Sequence, residues 1–408
     1  LIVGGGLSGL ACAWELHQRK IPYQLFEASD AVGGRVRTDV YEGFLLDRGF
    51  QVYLTAYPEG KRVFPYEELR FGAFLPGALV RLEDRFHRVM DPWRQPFGAL
   101  ASLLNPVGSM TDKLRVARLR ASSLSGSAEE LFTRPETTAR EALVNYGFSS
   151  NMIQRFFQPF FGGIMLDREL RPSSRMLEFV FRMMAAGDTV LPAEGMEALP
   201  RSIVKRLHPA AVHCNRRVRA VGPGQIILED GSTVNGRAVV LAVEGPAAAE
   251  LVPGLPAVGS RAVSVYYYAL QGPPPIPEPI IILNGNLGTK PGSLIQNLSF
   301  PSAVCRSYAP EGFHLAGATV LGVEGDPAQV EAQVRSELHS WFGRSAQDWQ
   351  FLRSYEIPHA HPAFNPETAA LRPLRLMEGL YICGDHRFFA SIQAALQTGR
   401  EAAELVSQ

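Results

Sequence analysis

The chain begins Leu1-Ile2-Val3-Gly4-Gly5-Gly6-Leu7-Ser8-Gly9-Leu10. Three apolar residues read as the end of a buried strand, and Gly4, Gly6 and Gly9 follow in the pattern G-x-G-x-x-G. Leu10, Ala13, Trp14 and His17 then recur at helical spacing, so a helix is expected directly after the loop. In such a unit the first glycine permits the tight turn. The second lets a pyrophosphate approach the backbone, and the third lets the helix pack closely on the strand. The unpaired N–H groups of the first helical turn, around Leu7 and Ser8, face the phosphates.

The context strengthens the reading. A second strand is expected at Tyr23-Gln24-Leu25-Phe26 and ends at Glu27, followed by Ala28. An acid about 20 residues past the loop is where a ribose-binding carboxylate belongs. It hydrogen-bonds the ribose hydroxyls and repels a 2′-phosphate. Lys20 stands where a glycine commonly closes the intervening helix.

Which dinucleotide is meant is decided by Asp30-Ala31-Val32-Gly33-Gly34-Arg35-Val36-Arg37-Thr38. A simple nicotinamide site needs no second glycine pair followed by arginine. A longer cofactor does: Gly33 and Gly34 let the backbone pass close to it, and Arg35 offers a fixed charge to its diphosphate. Together with the opening loop and Glu27, this stretch resembles the flavin amine-oxidase superfamily, which includes monoamine oxidases, protoporphyrinogen oxidases and phytoene-type desaturases. The far end of the chain agrees. Gly379-Leu380-Tyr381-Ile382-Cys383-Gly384-Asp385 is a short apolar strand running into Gly-Asp, and Ser391-Ile392-Gln393-Ala394 opens a helix in which Thr398-Gly399-Arg400 resembles a turn of the superfamily. Ser391 is expected to cap that helix, whose positive end would face the flavin pyrimidine near Ile392 and Ala394. Asp385 would bond the ribityl or phosphate side.

The resemblance implies FAD as cofactor and further contacts. Asp47-Arg48-Gly49-Phe50-Gln51 resembles the segment whose backbone passes under the flavin ring. Leu191-Pro192-Ala193-Glu194-Gly195-Met196 resembles the entry to a helix. Val218 matches the adenine contact on the first strand of a meander, and Ala242 the small residue near the phosphates. The implied fold class is α/β: a Rossmann-like, glutathione-reductase-like FAD-binding domain interleaved with an α+β substrate domain. The cofactor domain would be built from 1–55, 190–245 and 376–408. The substrate domain would comprise 56–189, mainly helical, and 246–375, strand-rich.

The bulk properties set bounds. The chain has 408 residues, 46% apolar and 20% charged, and Lys+Arg and Asp+Glu each total 40. Without a basic excess, a general nucleic-acid surface is not expected. Cys12, Cys214, Cys305 and Cys383 lie far apart, so neither a disulfide framework nor a cysteine metal site is expected, and a reducing, cytoplasmic setting fits. The chain starts within a strand and without Met, so residues preceding Leu1 are expected. No apolar run approaches the ~18 residues of a spanning helix. Met90 to Arg120 holds Trp93, Pro96, Phe97, Leu100, Leu103 and Leu104, then Lys113, Arg115, Arg118 and Arg120. This basic amphipathic stretch reads either as a helix with a solvated charged face or as a peripheral membrane contact.

The chemistry is less sharply marked, because a flavin carries the hard step and few side chains are obligatory. Substrate-lining candidates are Phe160 and Phe161 within Phe156-Phe157-Gln158-Pro159-Phe160-Phe161-Gly162-Gly163, together with Gln296 and Lys290. Lys290 is the lysine that would approach the flavin as in many amine oxidases, although Asn286-Leu287-Gly288-Thr289-Lys290-Pro291-Gly292 reads as a loop. His386, after Gly384-Asp385, would act as acid–base or bond backbone or phosphate. His359 and His361 alternate on a strand, but no third ligand accompanies them and no metal is expected. Gly222-Pro223-Gly224 sits in a hairpin and is no second dinucleotide fingerprint, so electrons are expected to leave to oxygen or a quinone.

The leading reading is hydride abstraction from a small, mainly apolar molecule, as in desaturases and protoporphyrinogen oxidases. A flavin amine oxidase is the alternative enzyme. A flavin-free binder resembling GDP-dissociation inhibitors is the alternative of another class. The oligomeric state is not legible.

Overall fold

In the computed structural model, the described residues are 1–96, 105–288, 290, 292–323, 325–366 and 372–408. The fold is α/β. One sheet has six strands in the order Val212–His213, Leu25–Phe26, Ile2–Val3, Val239–Leu241, Leu380–Ile382 and Arg375–Met377. The first five run parallel, and the last pairs antiparallel at the edge. Parallel strands must be covered on both faces, which is why these segments are uninterrupted apolar runs. Helices Leu7–Gln18 and Ile392–Ser407 belong to the core that takes Ile2, Leu25 and Val240. A meander contributing Ile226 and Leu228 covers Val3, Val239, Leu241 and Ile382 from the other side. The second strand is shorter than its composition predicts: only Leu25–Phe26 pair.

The two helices touch at a glycine. A Cβ on Gly399 would lie 2.1 Å from the Ser8 carbonyl oxygen, so only glycine allows this approach. Thr398-Gly399-Arg400 is therefore not a turn but the middle of the C-terminal helix Ile392–Ser407. Each residue has its own task there. Thr398 Oγ1 accepts the Gly384 N–H at 3.0 Å, Gly399 admits the neighbouring helix, and Arg400 pairs with Glu59 at 2.9 Å.

The end of the first helix answers the question raised by Lys20. Ile21 N–H bonds the Leu16 carbonyl, Lys20 N–H bonds the His17 carbonyl, and Lys20 takes φ 58°. This is a Schellman closure with a side chain in the left-handed position that glycine occupies at least cost. Lys20→Gly is expected to raise stability by about 1 kcal/mol, read as a higher urea midpoint at unchanged m.

The second sheet has seven strands in the order Gln350–Pro362, Ser260–Gln271, Phe313–Leu321, Ile295–Ser299, Ile281–Asn284, Gly77–Leu82 and Arg85–Met90. Its one parallel pair joins Gly77–Leu82 to Ile281–Asn284. The hairpin 77–90 lies between the helices of 56–189 and was not legible beforehand, because its first strand, Gly77–Leu82, is a short run buried on both faces and carries no period. One face of the sheet packs Tyr266, Tyr268, Leu298 and Ala318 under helix Pro327–Phe342. The opposite face presents Val265, Tyr267 and Leu283 to the core shared with the first sheet.

Candidate functional site

The glycine loop, Glu27 and the Gly33-Gly34-Arg35 turn converge. Gly5 N–H donates to Glu27 Oε2 at 2.6 Å, and Ser29 N and Oγ donate to Oε1 at 2.8 and 2.7 Å. The carboxylate is thereby fixed beside the loop. Gly33 N–H donates to the Gly5 carbonyl at 2.8 Å, and a Cβ on Gly34 would lie 3.3 Å from Gly6 Cα. Gly4 has φ +109°, and Gly9 sits so close to the Gly4 carbonyl that a Cβ would be 2.0 Å from it. Ala242 is the small residue on the other side of Gly9, 3.2 Å from that same position. By contrast, no atom lies within 4 Å of a Cβ placed on Gly6. The helix beginning at Leu7, whose first turn includes Ser8, has no side-chain cap. A space in front of uncapped N–H groups is what an anionic ligand requires.

The chain ends close this arrangement. Arg35 Nη2 donates to Asp385 Oδ1 at 2.7 Å and Nη1 to the Ala360 carbonyl at 2.6 Å. The guanidinium holds the buried Asp385 carboxyl below its ordinary range against the opposing effect of burial. Arg35 and Asp385, read separately in the sequence, are thus partners across the chain. Gln51 Nε2 donates to the Arg35 carbonyl at 2.7 Å, which brings Gly49, Phe50 and Gln51 to the same turn. A Cβ on Gly49 would meet Ile357 Cδ1 of the seven-stranded sheet at 3.3 Å. Val218 follows the segment in which Arg216 N–H bonds the Glu27 carbonyl. At the far end, Ser391 Oγ accepts the Ala394 N–H at 2.9 Å, capping the C-terminal helix at Ile392.

Several buried polar atoms in this crevice have no hydrogen-bond partner among the described residues: Gln51 Oε1, His359 Nδ1, His361 Nδ1 and both ring nitrogens of His386. Buried polar groups are almost always paired, so such a concentration marks a place for a ligand. His361 and His386 are each pushed down to about 4, in both cases chiefly by burial. Both are neutral at physiological pH. Among the described residues no group of three or more His, Cys, Asp or Glu is arranged to hold a metal ion.

Asp47 is the hub behind the crevice, and sequence reasoning did not single out its role. Its Oδ1 accepts Thr38 Oγ1 at 2.5 Å and Met196 N–H at 2.9 Å, and its Oδ2 accepts Tyr308 OH at 2.8 Å. Its backbone carbonyl accepts Tyr267 OH at 2.9 Å, which ties it to the seven-stranded sheet. Burial pushes the carboxyl up to about 6 despite these bonds, and the Glu197 carboxylate adds to the rise. The folded state therefore binds a proton more tightly than the unfolded chain. The stability this group contributes is fully present below about pH 4 and is lost as pH rises through about 6. Asp47→Asn is expected to flatten that decline, so the variant gains on the native chain between pH 4 and 7 in denaturation midpoints.

Other residues expected at the site fall elsewhere. Gln296 is fully buried, and its amide is saturated. Nε2 donates to the Gln158 and Pro159 carbonyls, and Oε1 accepts Arg168 Nε at 3.0 Å, so Gln296 braces a helix instead of lining a cavity. Lys290 is exposed, with its N–H on the Asn286 carbonyl; its neighbours Thr289 and Pro291 lie outside the described residues. Its loop joins strands Ile281–Asn284 and Ile295–Ser299. Four strand spacings, about 19 Å, separate the former from strand Gln350–Pro362 at the crevice. Phe161 is core, 0% exposed, whereas Phe160 is partly buried. In the basic stretch, Arg120 lies 4.9 Å over Trp93 and 3.4 Å from Asp91, while Arg118 lies over Tyr146. Much of the basic face is therefore engaged. Phe97, Leu100, Leu103 and Leu104 lie outside the described residues. No helix among the described residues is long and apolar enough to cross a membrane.

Comparison with known proteins agrees with the crevice. The model of the family described as flavin containing amine oxidoreductase matches residues 7–407. The chain belongs to that family. It is an FAD-dependent oxidoreductase. The carotenoid phi-ring synthase of Streptomyces griseus is 25% identical over 403 residues, 91% of this chain and 75% of that protein. A coproporphyrinogen III oxidase of Mycobacterium leprae is 25% identical over 169 residues, 40% of this chain and 36% of that one. Among solved structures, an oxidoreductase from Methanosarcina mazei superposes with TM-score 0.75 at 17% identity, covering 99% of both chains. Putrescine oxidase bound to putrescine gives TM-score 0.73 at 16% identity, covering 100% of this chain and 98% of that one. At those identities the structures speak for the fold alone.

Proposed function

We propose that this family member abstracts a hydride from a small, mainly apolar molecule, in the manner of a desaturase or porphyrinogen oxidase, and passes the electrons to oxygen or a quinone. FAD, when bound, supplies the hydride acceptor and the electron outlet. Gly4, Gly6, Gly9, Glu27, Gly34 and Arg35 would hold its dinucleotide part. Asp385, Ile392 and Ala394 would hold the opposite end.

The observation that carries the reading is the surface following Gly384-Asp385. Phe388 and Phe389 pack on each other at 4.6 Å, and Phe132 lies 4.6 and 4.8 Å from them. Phe179 closes the group at 4.9 Å from Phe389. This wall is apolar. Phe388 and Phe389 meet at 73°, not as the facing pair of rings that would sandwich an amine. Lys290, the lysine considered for an amine oxidase, is far away. The names of the relatives above, a carotenoid ring synthase and a porphyrinogen oxidase, support an apolar substrate. The chain's part in the chemistry is to bury the reacting carbon among rings and exclude water. No acid–base step requires His386, which is buried and neutral.

The test is anaerobic mixing of the yellow holoenzyme with a polyene, a porphyrinogen, putrescine and NADPH, following the visible flavin band. Bleaching by the polyene or porphyrinogen alone is expected, with colour restored by air or a quinone. Faster bleaching by putrescine would establish an amine oxidase instead, and bleaching by NADPH without substrate would overturn the electron route.

A further inference from the structure

A second group of unpartnered buried atoms lies away from the crevice. Asn297 Oδ1, Ser299 Oγ and Thr319 Oγ1 have no hydrogen-bond partner among the described residues. These residues are 4%, 0% and 2% exposed. The strand register puts them side by side: Asn297 is paired with Thr319, and Ser299, two residues on, is paired with Gly317. With a period of two, all three side chains stand on one face of the seven-stranded sheet.

That face is the one turned toward the crevice. Thr319 is paired with Val265, Val265 with Tyr355, and the same parity runs along the edge strand through Ile357, which meets Gly49, to His359. The polar trio thus continues the surface that begins beside Arg35 and Asp385. It sits two and three strands in from the edge strand, about 10 and 14 Å. The helix Gln158–Met165 covers it, and a Cβ on Gly163 would lie 2.8 Å from Asn297 Nδ2. A π-helical stretch, Ile153–Phe157, directly precedes that helix. Such stretches concentrate at functional sites.

Three orphaned polar atoms in a dry part of the sheet face are costly unless something pairs with them. Neutral chains flank them: Val265, Tyr267 and Leu283, with Tyr267 OH already committed to Asp47. We infer that Asn297, Ser299 and Thr319 form a subsite for an uncharged hydroxyl carried by the apolar substrate. A hydroxyl donates to the Asn297 carbonyl oxygen and accepts from Thr319 or Ser299. It suits either orientation of the Asn297 amide. Arg261 and Arg353, on the strands nearer the edge, are engaged by Asp167 and by the ring of Tyr41, and Arg168 is committed to Gln296 Oε1 and the Leu294 carbonyl, so a neutral partner suits the trio better than a carboxylate. This inference rests on the proposed hydride abstraction from an apolar molecule and names the polar handle by which that molecule is oriented.

The test uses the FAD-loaded enzyme and two probes of equal carbon number, geraniol and its hydrocarbon counterpart myrcene, titrated under anaerobic conditions and read by perturbation of the flavin absorbance. Geraniol is expected to bind about tenfold more tightly than myrcene, the ratio one buried hydrogen bond supplies. In Thr319→Val and Ser299→Ala the ratio is expected to fall toward one. Melting temperature should hold or rise, because each change removes an unpaired buried hydroxyl. Equal binding of the probes by the native enzyme overturns the subsite, as does an undiminished ratio in both variants. So does a loss of thermal stability in both variants, which would make the hydroxyls structural. The two readings fail separately. Bleaching by an apolar substrate without a geraniol preference leaves hydride abstraction standing and removes the subsite. A geraniol preference lost in the variants, in an enzyme that only amines bleach, does the reverse.

Discussion

Gly9→Ala is expected to yield a protein that binds FAD about a hundredfold more weakly and melts earlier, whereas Gly6→Ala loses FAD alone. The difference follows from what each new methyl meets. At Gly9 it would lie 2.0 Å from the Gly4 carbonyl oxygen and 3.2 Å from Ala242 Cβ, both on the rigid side of the loop. Strand and helix must then separate by more than an ångström. Overpacking of this kind costs about 1–3 kcal/mol, and a loss near the upper figure is the hundredfold in affinity. At Gly6 the methyl would meet no protein atom within 4 Å. Its cost to the apoprotein is at most about 1 kcal/mol, the difference between glycine and alanine at a helix N-cap. It would project into the space in front of the uncapped helix turn, where a pyrophosphate approaches. Flavin retained after gel filtration, and melting of the apoproteins, separate the two effects. If Gly6→Ala keeps its flavin at native affinity, the cofactor does not pass over that residue.

Glu59→Ala is expected to destabilise the fold by about 3 kcal/mol and to loosen flavin at the opposite end. Glu59 and Arg400 have side chains only 8% and 18% exposed, with Arg400 Nε 3.1 Å from both carboxylate oxygens. Removing one partner of a largely buried pair leaves the other charge desolvated, which costs about 3–5 kcal/mol. The lower end applies here because Glu404 also reaches Arg400, at 2.9 Å. The local consequence is specific. The backbone N–H of Glu59, kept in the variant, donates to Gln393 Oε1 at 3.0 Å, so any shift of helix Pro58–Val63 once its ion pair is lost is passed to Gln393, between Ile392 and Ala394 at the start of the C-terminal helix. A double variant, Glu59→Ala with Arg400→Met, removes both charges and is expected to recover more than half of the loss in urea titrations. A single variant as stable as the native chain would show that the pair contributes nothing.

Both predictions rest on contacts between residues far apart in the chain, and the sequence marks them unevenly. The G-x-G-x-x-G loop, the acid at Glu27 and the Gly33-Gly34-Arg35 turn are local, and each residue type is demanded by backbone geometry or charge at its own position. Gly384-Asp385 was legible for the same reason. The partnership of Arg35 with Asp385 was not, because nothing local to either residue tells which opposite charge it will meet. Thr398-Gly399-Arg400 shows the limit most plainly. The three residues were noticed, but as a turn, by their resemblance to a turn of the superfamily. Within the fold Gly399 is needed inside a helix, at the one point where another backbone comes within reach.

The substrate side was the harder part to read. Gln296 and Lys290 have chemistry suited to a site, and only packing shows that one is saturated by backbone carbonyls and the other faces solvent. Asn297, Ser299 and Thr319 drew no attention in the sequence, because isolated small polar residues on strands are ordinary. They matter as a group only once strand pairing sets them side by side in a dry interior.

By itself the order of amino acids marked the expected cofactor-binding units, because glycine positions, an acid placed where a ribose is expected and uninterrupted apolar strands are dictated by interactions within a few turns of backbone. Tertiary structure alone decided which charges pair, where a buried carboxyl collects its three hydroxyl and amide donors, and which polar side chains remain unpaired. Those outcomes depend on the register of a seven-stranded sheet and on helices meeting across hundreds of residues, and no short stretch of sequence encodes them.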